Sequence, residues 1–367
     1  MSDLLWLRRA LVLADRGRYT VTPNPRVGAV LVRDGAVLSE GFHRRPGEPH
    51  GEVEALSRLA PGAARGATLY VNLEPCSHHG RTPPCVDAII EAGVSRVVYC
   101  HHDPNRDAAR GRERLRAAGV EVDHGLLAEE AVRLNLPFLC RHLLARPAVT
   151  LKWAMSLDGK IATTEGESQW LSSPQSRRWA LSLREEHEAV IVGSETVLRD
   201  DPRLDRRLGL ATGANVRVVL DRRLRTPVAA RLFEIPGAVL LYTEKPRGDA
   251  VALEAAGAEV VSLPRVDAGS VLQDLFGRGV GSVLVEGGGE VIAAFAGDRL
   301  FDRVAACCAP LLIGGRGAPS PVGGDGLGPL AGVPRLEAIR SRRRGPDVWI
   351  DALRAGCSRD LSSNVVG

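Results

Sequence analysis

A chain of 367 residues with a formal charge of +4 and 25% charged residues is too long for one ordinary core, so two domains of roughly 100–200 residues each are expected. Lys and Arg are interleaved with Asp and Glu, which disfavours a dedicated nucleic-acid binder, and no run of about 18 apolar residues offers a membrane span. The seven cysteines are odd in number and scattered, and the start Met1-Ser2-Asp3-Leu4 lacks a signal-peptide pattern, so a reducing compartment, the cytoplasm, is expected.

Hydrophobic periodicity predicts a helix over residues 4–14, a hairpin pairing Val27–Val32 with Ala36–Leu38 around Asp34-Gly35, and a helix over Gly51–Leu59. A strand at Thr68–Leu73, a helix at Val86–Glu91 closed by Gly93, a strand at Val94–Tyr99 and a helix near Ala108–Ala118 closed by Gly119 follow. Strands alternating with helices of about ten residues imply a helix-covered, largely parallel or mixed sheet. Arg146-Pro147 is the expected domain boundary, because proline pushes the preceding residue out of helical geometry. Beyond it the alternation restarts with a strand at Ala148–Met155, a helix at Pro174–His187, and strands at Ala189–Val192, Val216–Leu220 and Ala238–Leu241. Ser282–Val285 then runs into Gly287-Gly288-Gly289. The end of the chain is small and polar, and residues 357–367 are expected to form a poorly ordered tail. No short-period repeat points to a solenoid.

The chemistry is concentrated early in the chain. His50-Gly51-Glu52 opens a predicted helix, Glu74-Pro75-Cys76 leaves a strand, and Cys85 starts the next helix. Zinc takes nitrogen and sulfur donors in a tetrahedron, and a catalytic site leaves the fourth position to water; His50, Cys76 and Cys85 suit that demand. Zinc lowers the pKa of its water toward about 7. Glu52, two residues from the histidine, can then take the water proton and pass it to a departing amine, the role the H-x-E…P-C-x-x-C signature of zinc deaminases assigns to this glutamate. Taken singly these features are commonplace, and a lone cysteine is usually a small buried hydrophobe; their ordered combination is not. The spacing departs from the signature, since eight residues rather than two separate Cys76 from Cys85. The adjacent pair Cys307-Cys308 lies in a strand-like run that sends the two side chains to opposite faces, which disfavours joint ligation.

The stretch from Glu74 to Cys85, with Pro23–Gly28, Gly47–His50 and Asp103–Asn105, resembles the bifunctional deaminase/reductase family of riboflavin biosynthesis, RibD. The resemblance runs over nearly the whole chain. It implies an α/β architecture in which residues 1–146 form a cytidine-deaminase-like α/β/α domain acting on the exocyclic amine of a diaminopyrimidinone ribosyl phosphate. His78, Arg81 and Thr82 would offer donors to the ribose phosphate, Asn24 would pair with the pyrimidine edge, and His43 would reach the substrate. Gly51 stands where the family more often has alanine, which is expected to loosen the helix start and leave the ligand geometry unchanged.

Read from its residues alone, the second half is an α/β domain with a candidate phosphate-binding turn, because Val283–Gly289 is a buried strand ending in glycines before a helix. The resemblance extends to Lys152–Lys160, Gly166–Pro174 and Thr196–Pro202. It implies that residues 147–356 are a dihydrofolate-reductase-like domain that uses NADPH to reduce the ribosyl group to ribityl. Positions matching cofactor contacts are Ala154, Trp170, Thr196, Asp200 and the turn Gly288, Gly289, Glu290, Val291 and Ile292, with Arg222 set to meet the 2′-phosphate. Positions matching substrate contacts are Ser168, Arg184, Leu204, Arg207 and Glu286, with Lys152 or Asp158 assisting proton transfer as the sugar opens.

Other readings compete. A zinc deaminase of a nucleoside or RNA with a C-terminal binding module shares the metal chemistry, but it leaves the reductase motifs unexplained and lacks a basic–aromatic stripe for stacking bases. A scaffold with a structural zinc would need four protein ligands where three are evident. A version with only one active domain stays open, as does homo-oligomerisation. The expected partners are therefore a small phosphoribosyl pyrimidine, zinc and NADPH, with neither nucleic acid nor membrane.

Overall fold

The computed structural model describes residues 2–80, 83–105, 107–108, 110–246 and 250–363. Cα packing separates two units, Met1–Ala145 with Ser358–Gly367, and Arg146–Cys357. No helix among the described residues is long and apolar enough to cross a membrane.

The first unit is a five-stranded mixed sheet in the order β2-β1-β3-β4-β5, formed by β1 (Gly28–Arg33), β2 (Ala36–Phe42), β3 (Thr68–Leu73), β4 (Arg96–His101) and β5 (Glu121–His124). The β1–β2 and β1–β3 pairs are antiparallel and β3–β4–β5 run parallel, the mixed case of the expectation. The helices α1 (Asp3–Ala14), α2 (Gly51–Leu56), α3 (Cys85–Glu91), α4 (Gly111–Ala117), α5 (Ala128–Leu134) and α6 (Leu136–Leu144) accompany it. Helix α1 buries Leu7, Ala10, Leu13 and Ala14, the three-and-four spacing of a helix laid on a sheet. Two strand glycines let helices come close. A Cβ on Gly28 would lie 2.3 Å from Ala10 O, and one on Gly41 would lie 2.4 Å from Gly51 O. Gly28 pairs with Phe42 and Ala29 with Gly41, so the two glycines face opposite sides and seat α1 and α2 on opposite faces.

The second unit is a nine-stranded sheet in the order β10-β9-β8-β7-β11-β6-β12-β14-β13. Its strands are β6 (Ala148–Ser156), β7 (Ala189–Gly193), β8 (Val216–Leu220), β9 (Val239–Thr243), β10 (Ala258–Ser262), β11 (Ser282–Val285), β12 (Arg303–Ala309), β13 (Leu336–Arg344) and β14 (Asp347–Arg354). From β10 through β12 the neighbours are parallel; β14 and β13 close the edge antiparallel. Helices α7 (Pro174–Glu186), α8 (Ser194–Asp200), α9 (Val251–Ala255), α10 (Ala268–Gly277) and α11 (Gly289–Gly297) connect the strands. Strands β7, β9 and β11 are buried along their whole length, as a parallel sheet covered on both faces requires. Alternation divides them between two apolar layers: Ile191, Val283 and Val285 pack into one and Val190, Val192 and Leu284 into the other.

The chain end differs from the sequence expectation. Cys357–Ser363 form a short helix, α12, in which Cys357 and Leu361, one turn apart, are both buried. Burial of that one face orders a segment whose composition reads as tail; the last four residues lie outside those described.

Candidate functional site

In the first unit the chemistry gathers at the ends of β3 and β4 and the starts of α2 and α3. His50 precedes α2 with extended backbone, Cys76 follows β3, and Cys85 is the first residue of α3. The three donor atoms all lie within 4.8 Å of one another, with His50 Nδ1 3.2 Å from Cys85 Sγ and 3.5 Å from Cys76 Sγ. Tetrahedral zinc with bonds of about 2.0 Å to nitrogen and 2.3 Å to sulfur holds such donors roughly 3.5–3.8 Å apart, so the constellation has the size the metal needs. Its electrostatics agree. Hydrogen bonding from Cys85 and from His50 lowers the Cys76 thiol, while the same contact with Cys76 and burial raise Cys85, a paired titration that a divalent cation would drive to two thiolates.

Glu52 lies one residue into α2 and is 3% exposed. Burial pushes its carboxyl up to about 7, with the His50 charge opposing, and Oε2 has no hydrogen-bond partner. A buried carboxylate oxygen left unpaired beside three metal-type donors fits a zinc site with a proton carrier next to it. Cys76 is held by its surroundings. Glu74 accepts hydrogen bonds from Arg112 N and His102 Nδ1, both at 2.9 Å, and Ser77 N donates to Ala108 O. A Cβ on Gly111 would lie 2.0 Å from Pro75 O, so α4 can start there only with glycine. Gly51 is similarly tight, since a Cβ would lie 2.8 Å from Val27 O; the glycine lets α2 approach the entry to β1 closely.

Asn24 and His43 meet. Asn24 Nδ2 lies 3.0 Å from His43 Nε2, and His43 Nδ1 lies 3.0 Å from Pro49 O, an arrangement that makes Nδ1 the donor and Nε2 the acceptor of a neutral ring. Burial lowers the His43 pKa in keeping with that state, and the ring sits edge-on to His50 with centroids 5.1 Å apart. His78 is half-buried with Nδ1 unpartnered. Arg81 and Thr82 lie outside the described residues.

In the second unit, register alone juxtaposes charges. Leu151 of β6 pairs with Val285 of β11, so Lys152 and Glu286 emerge side by side, with Nζ 3.8 Å from Oε2. Arg184, in the last turn of α7, donates from Nε and Nη2 to the two Glu286 oxygens at 2.8 Å each, while its Nη1 is buried and unpartnered. Burial would raise the Glu286 carboxyl, but the Arg184 and Lys152 charges outweigh it and bring it to about 2. Arg207 is exposed, with Nε 3.5 Å from Asp205 Oδ1. The Leu204 side chain is core, 1% exposed, so any ligand contact there falls to its backbone. The loop carrying both residues is stitched to α7. Buried Glu185 accepts hydrogen bonds from the amides of Leu208, Leu210 and Ala211, and Arg206 donates to Arg184 O and His187 O.

The glycine turn lies where the sequence places it, between β11 and α11. A Cβ on Gly288 would be 3.6 Å from Thr196 Oγ1, and one on Gly193 would be 3.0 Å from Val291 Cγ2. The starts of α8 and α11 thus lie side by side at the carboxyl ends of adjacent parallel strands, the crevice where nucleotides bind in open α/β sheets. Gly289 approaches Ser320 O closely, Glu290 Oε1 accepts from Gly324 N, and the Ile292 side chain is core. Ser168 Oγ reaches Asp200 Oδ1 at 3.5 Å. Trp170 is exposed with the Arg177 guanidinium over its ring, and Ala154 packs against one apolar layer. Arg222 donates to Val266 O at 3.0 Å. Asp158 is committed elsewhere: Ser156 Oγ, Ile313 N and Gly314 N all donate to it, which makes it a loop clamp and leaves Lys152 the better placed of the two proton-transfer candidates.

Sequence reasoning missed Glu185 and the buried asparagines Asn72 and Asn135. Asn135 carries one faint signal, a polar residue between apolar helical stretches two positions before Pro137.

Residues 147–350 match the family model described as the RibD C-terminal domain, and residues 1–101 that of the cytidine and deoxycytidylate deaminase zinc-binding region. The riboflavin biosynthesis protein RibD of Escherichia coli (strain K12) is 40% identical over 374 residues, covering 97% of this chain and 100% of its own. That of Aquifex aeolicus (strain VF5) is 42% identical over 314 residues, covering 85% and 88%. Among solved structures, Acinetobacter baumannii RibD superposes with a TM-score of 0.82 at 35% identity, covering 96% of this chain and 99% of that one. A diaminohydroxyphosphoribosylaminopyrimidine deaminase/5-amino-6-(5-phosphoribosylamino)uracil reductase from Thermotoga maritima gives the same score, identity and coverage.

Proposed function

The chain belongs to the RibD family of bifunctional riboflavin-biosynthesis enzymes, and on that premise we propose how its residues divide the family's two reactions. The protein is a zinc-dependent deaminase and an NADPH-dependent reductase. It deaminates 2,5-diamino-6-(5-phosphoribosylamino)pyrimidin-4(3H)-one and then reduces the ribosyl side chain, giving 5-amino-6-(5-phosphoribitylamino)uracil. Residues 1–146 are assigned the first step and residues 147–356 the second. The observation that carries the reading is the His50–Cys76–Cys85 cluster with the buried, unpaired carboxylate oxygen of Glu52 beside it.

His50, Cys76 and Cys85 would hold zinc, which when bound would supply the Lewis acidity that makes a water acidic near neutral pH. Glu52, whose carboxyl burial has brought near 7, takes a proton at its free oxygen and returns it to the leaving amine, a match of pKa to working pH that general acid–base catalysis needs. Neutral His43 fixes the Asn24 amide, and Asn24 turns its remaining polar edge to the pyrimidine. His78 and, by family resemblance, Arg81 and Thr82 serve the ribose phosphate.

In the second step the reductase residues would hold NADPH, which when bound would supply the hydride. Thr196 and the Gly288–Ile292 turn, with Ala154, Trp170, Asp200 and Arg222, form the cofactor set. The unpaired Nη1 of Arg184 and the exposed Arg207 are donors suited to the substrate phosphate, with Ser168, the Leu204 backbone and Glu286 around them. Lys152 beside Glu286 assists the proton movement that opens the sugar. The odd, scattered set of seven cysteines supports a reducing, cytoplasmic setting.

One coupled assay tests the reading. Zinc-loaded protein given the diaminopyrimidinone ribosyl phosphate is expected to release ammonia, and then to oxidise NADPH once it is added. Absence of ammonia would overturn the deaminase assignment; ammonia without NADPH oxidation would overturn the reductase assignment.

A further inference from the structure

Asn24 and His43 stand beside the zinc ligands, but a two-residue contact at a loop tip does not hold itself. The segment that follows Asn24 leaves Pro25 and enters β1 at Gly28, and its backbone polar groups are buried with Arg26 before the ladder can pair them. Two buried asparagines complete the pairing. Asn135, in the break between α5 and α6, accepts from Arg26 N at 2.8 Å through Oδ1 and donates from Nδ2 to Arg26 O at 3.1 Å. Asn72, on β3, donates to the same carbonyl at 2.8 Å and accepts from Gly28 N at 2.8 Å. The two residues are 3% and 0% exposed. The next carbonyl, Val27 O, accepts from His43 N at 2.8 Å. The strand stem thus carries Asn24 at one end and grips the backbone of its partner His43 at the other.

The geometry points to Asn135 as a positioning residue for deamination: by clamping both polar groups of Arg26 together with Asn72, it sets the Asn24–His43 pair at the distance from the metal ligands that the pyrimidine needs. An asparagine side chain reproduces a peptide's donor and acceptor, and here it stands in for the strand neighbour that Arg26 lacks. Asn135 touches neither a metal ligand nor, on the reading of Asn24 given above, the substrate. Its effect reaches the reaction through Asn24, and the inference rests on that reading. Misplacing a binding group by a fraction of an ångström weakens ground-state and transition-state binding together, so the expected signature lies in KM.

A double-mutant cycle decides it. Asn24→Ala, Asn135→Ala and the pair are compared by ammonia release from the diaminopyrimidinone ribosyl phosphate, with zinc content and NADPH oxidation on the separately supplied deaminated pyrimidine measured in each. Asn135→Ala is expected to raise the deaminase KM on the order of tenfold, with kcat within about twofold. Zinc content and NADPH oxidation are expected to stay unchanged, and the KM penalty to vanish in the Asn24→Ala background. An unchanged KM in Asn135→Ala, or penalties that multiply in the pair, would overturn the proposal. Should Asn135→Ala lose zinc or fail to fold, Asn135→Asp takes its place in the cycle with the same expectation, since it keeps the acceptor for Arg26 N and sets an oxygen against Arg26 O. Should Asn24→Ala alone leave KM untouched, the reading of Asn24 falls, and a KM effect of Asn135→Ala would then show a route other than the one proposed.

Discussion

Arg184 grips Glu286 with two parallel hydrogen bonds of 2.8 Å and keeps its third nitrogen, Nη1, buried and unpaired. Removing one partner of such a buried pair strands the other charge. Glu286→Gln is expected to destabilise the reductase unit by about 3–5 kcal/mol, read as a lower denaturant midpoint with the deaminase reaction unaffected. Combining it with Arg184→Met is expected to restore much of the loss, because the buried guanidinium is removed with its counter-charge and only Lys152, 3.8 Å from the former carboxylate and partly exposed, is left without its partner; an additive second loss would contradict this account.

The same pair sets an acid limit. The Glu286 carboxyl is lowered from 4.5 to about 2 in the folded protein, so its contribution is complete above pH 4.5 and is lost as the pH falls toward 2. Thermal melts stepped through that window are expected to show a loss of stability in the parent protein that is smaller in Glu286→Gln.

Glu52→Gln keeps the shape of the side chain and removes its capacity to carry a proton. Zinc content is expected to be retained while deamination falls about 10²- to 10⁴-fold and NADPH oxidation on deaminated substrate continues. Chelation of zinc is expected to abolish ammonia release and spare the second reaction.

Gly111→Ala tests how Cys76 is held. The added Cβ would meet the backbone oxygen of Pro75 at 2.0 Å, so the segment after β3 that carries Cys76 is expected to shift. A loss of zinc affinity of about 10- to 100-fold is expected, measured by competition with a chromogenic chelator. Unaltered affinity would mean that α4 gives way instead.

How much the sequence foretells depends on where the signal resides. The strands Val216–Leu220 and Ser282–Val285 match their predicted bounds because β-branched runs between turns are a local signal. Strand β13 was not foreseen. Every residue of Leu336–Arg344 is exposed or half-buried, so no apolar alternation marks it, and its extension comes from pairing with β14. The zinc donors and Glu52 are legible because metal chemistry restricts residue type and order. Asn135 is not, since the backbone it satisfies lies 109 residues away and an asparagine between helices reads as an ordinary break. Asp158 illustrates the converse: a residue inside a family motif holds a turn together, a role that only its three donors reveal.

The three amides captured by Glu185 have a consequence for how this protein can vary. Leu208, Leu210 and Ala211 dock on one carboxylate, and Arg206 fastens the stretch before them, so an insertion between Arg206 and Ala211 would tear the mooring. Thr212, Gly213 and Ala214 carry no such tie to Glu185 and are all exposed, although Thr212 O still accepts from Arg206 Nη1 at 3.3 Å. An insertion between Thr212 and Asn215 is therefore expected to cost less stability than one between Arg206 and Ala211, and to leave Arg184 on the neighbouring helical turn in place.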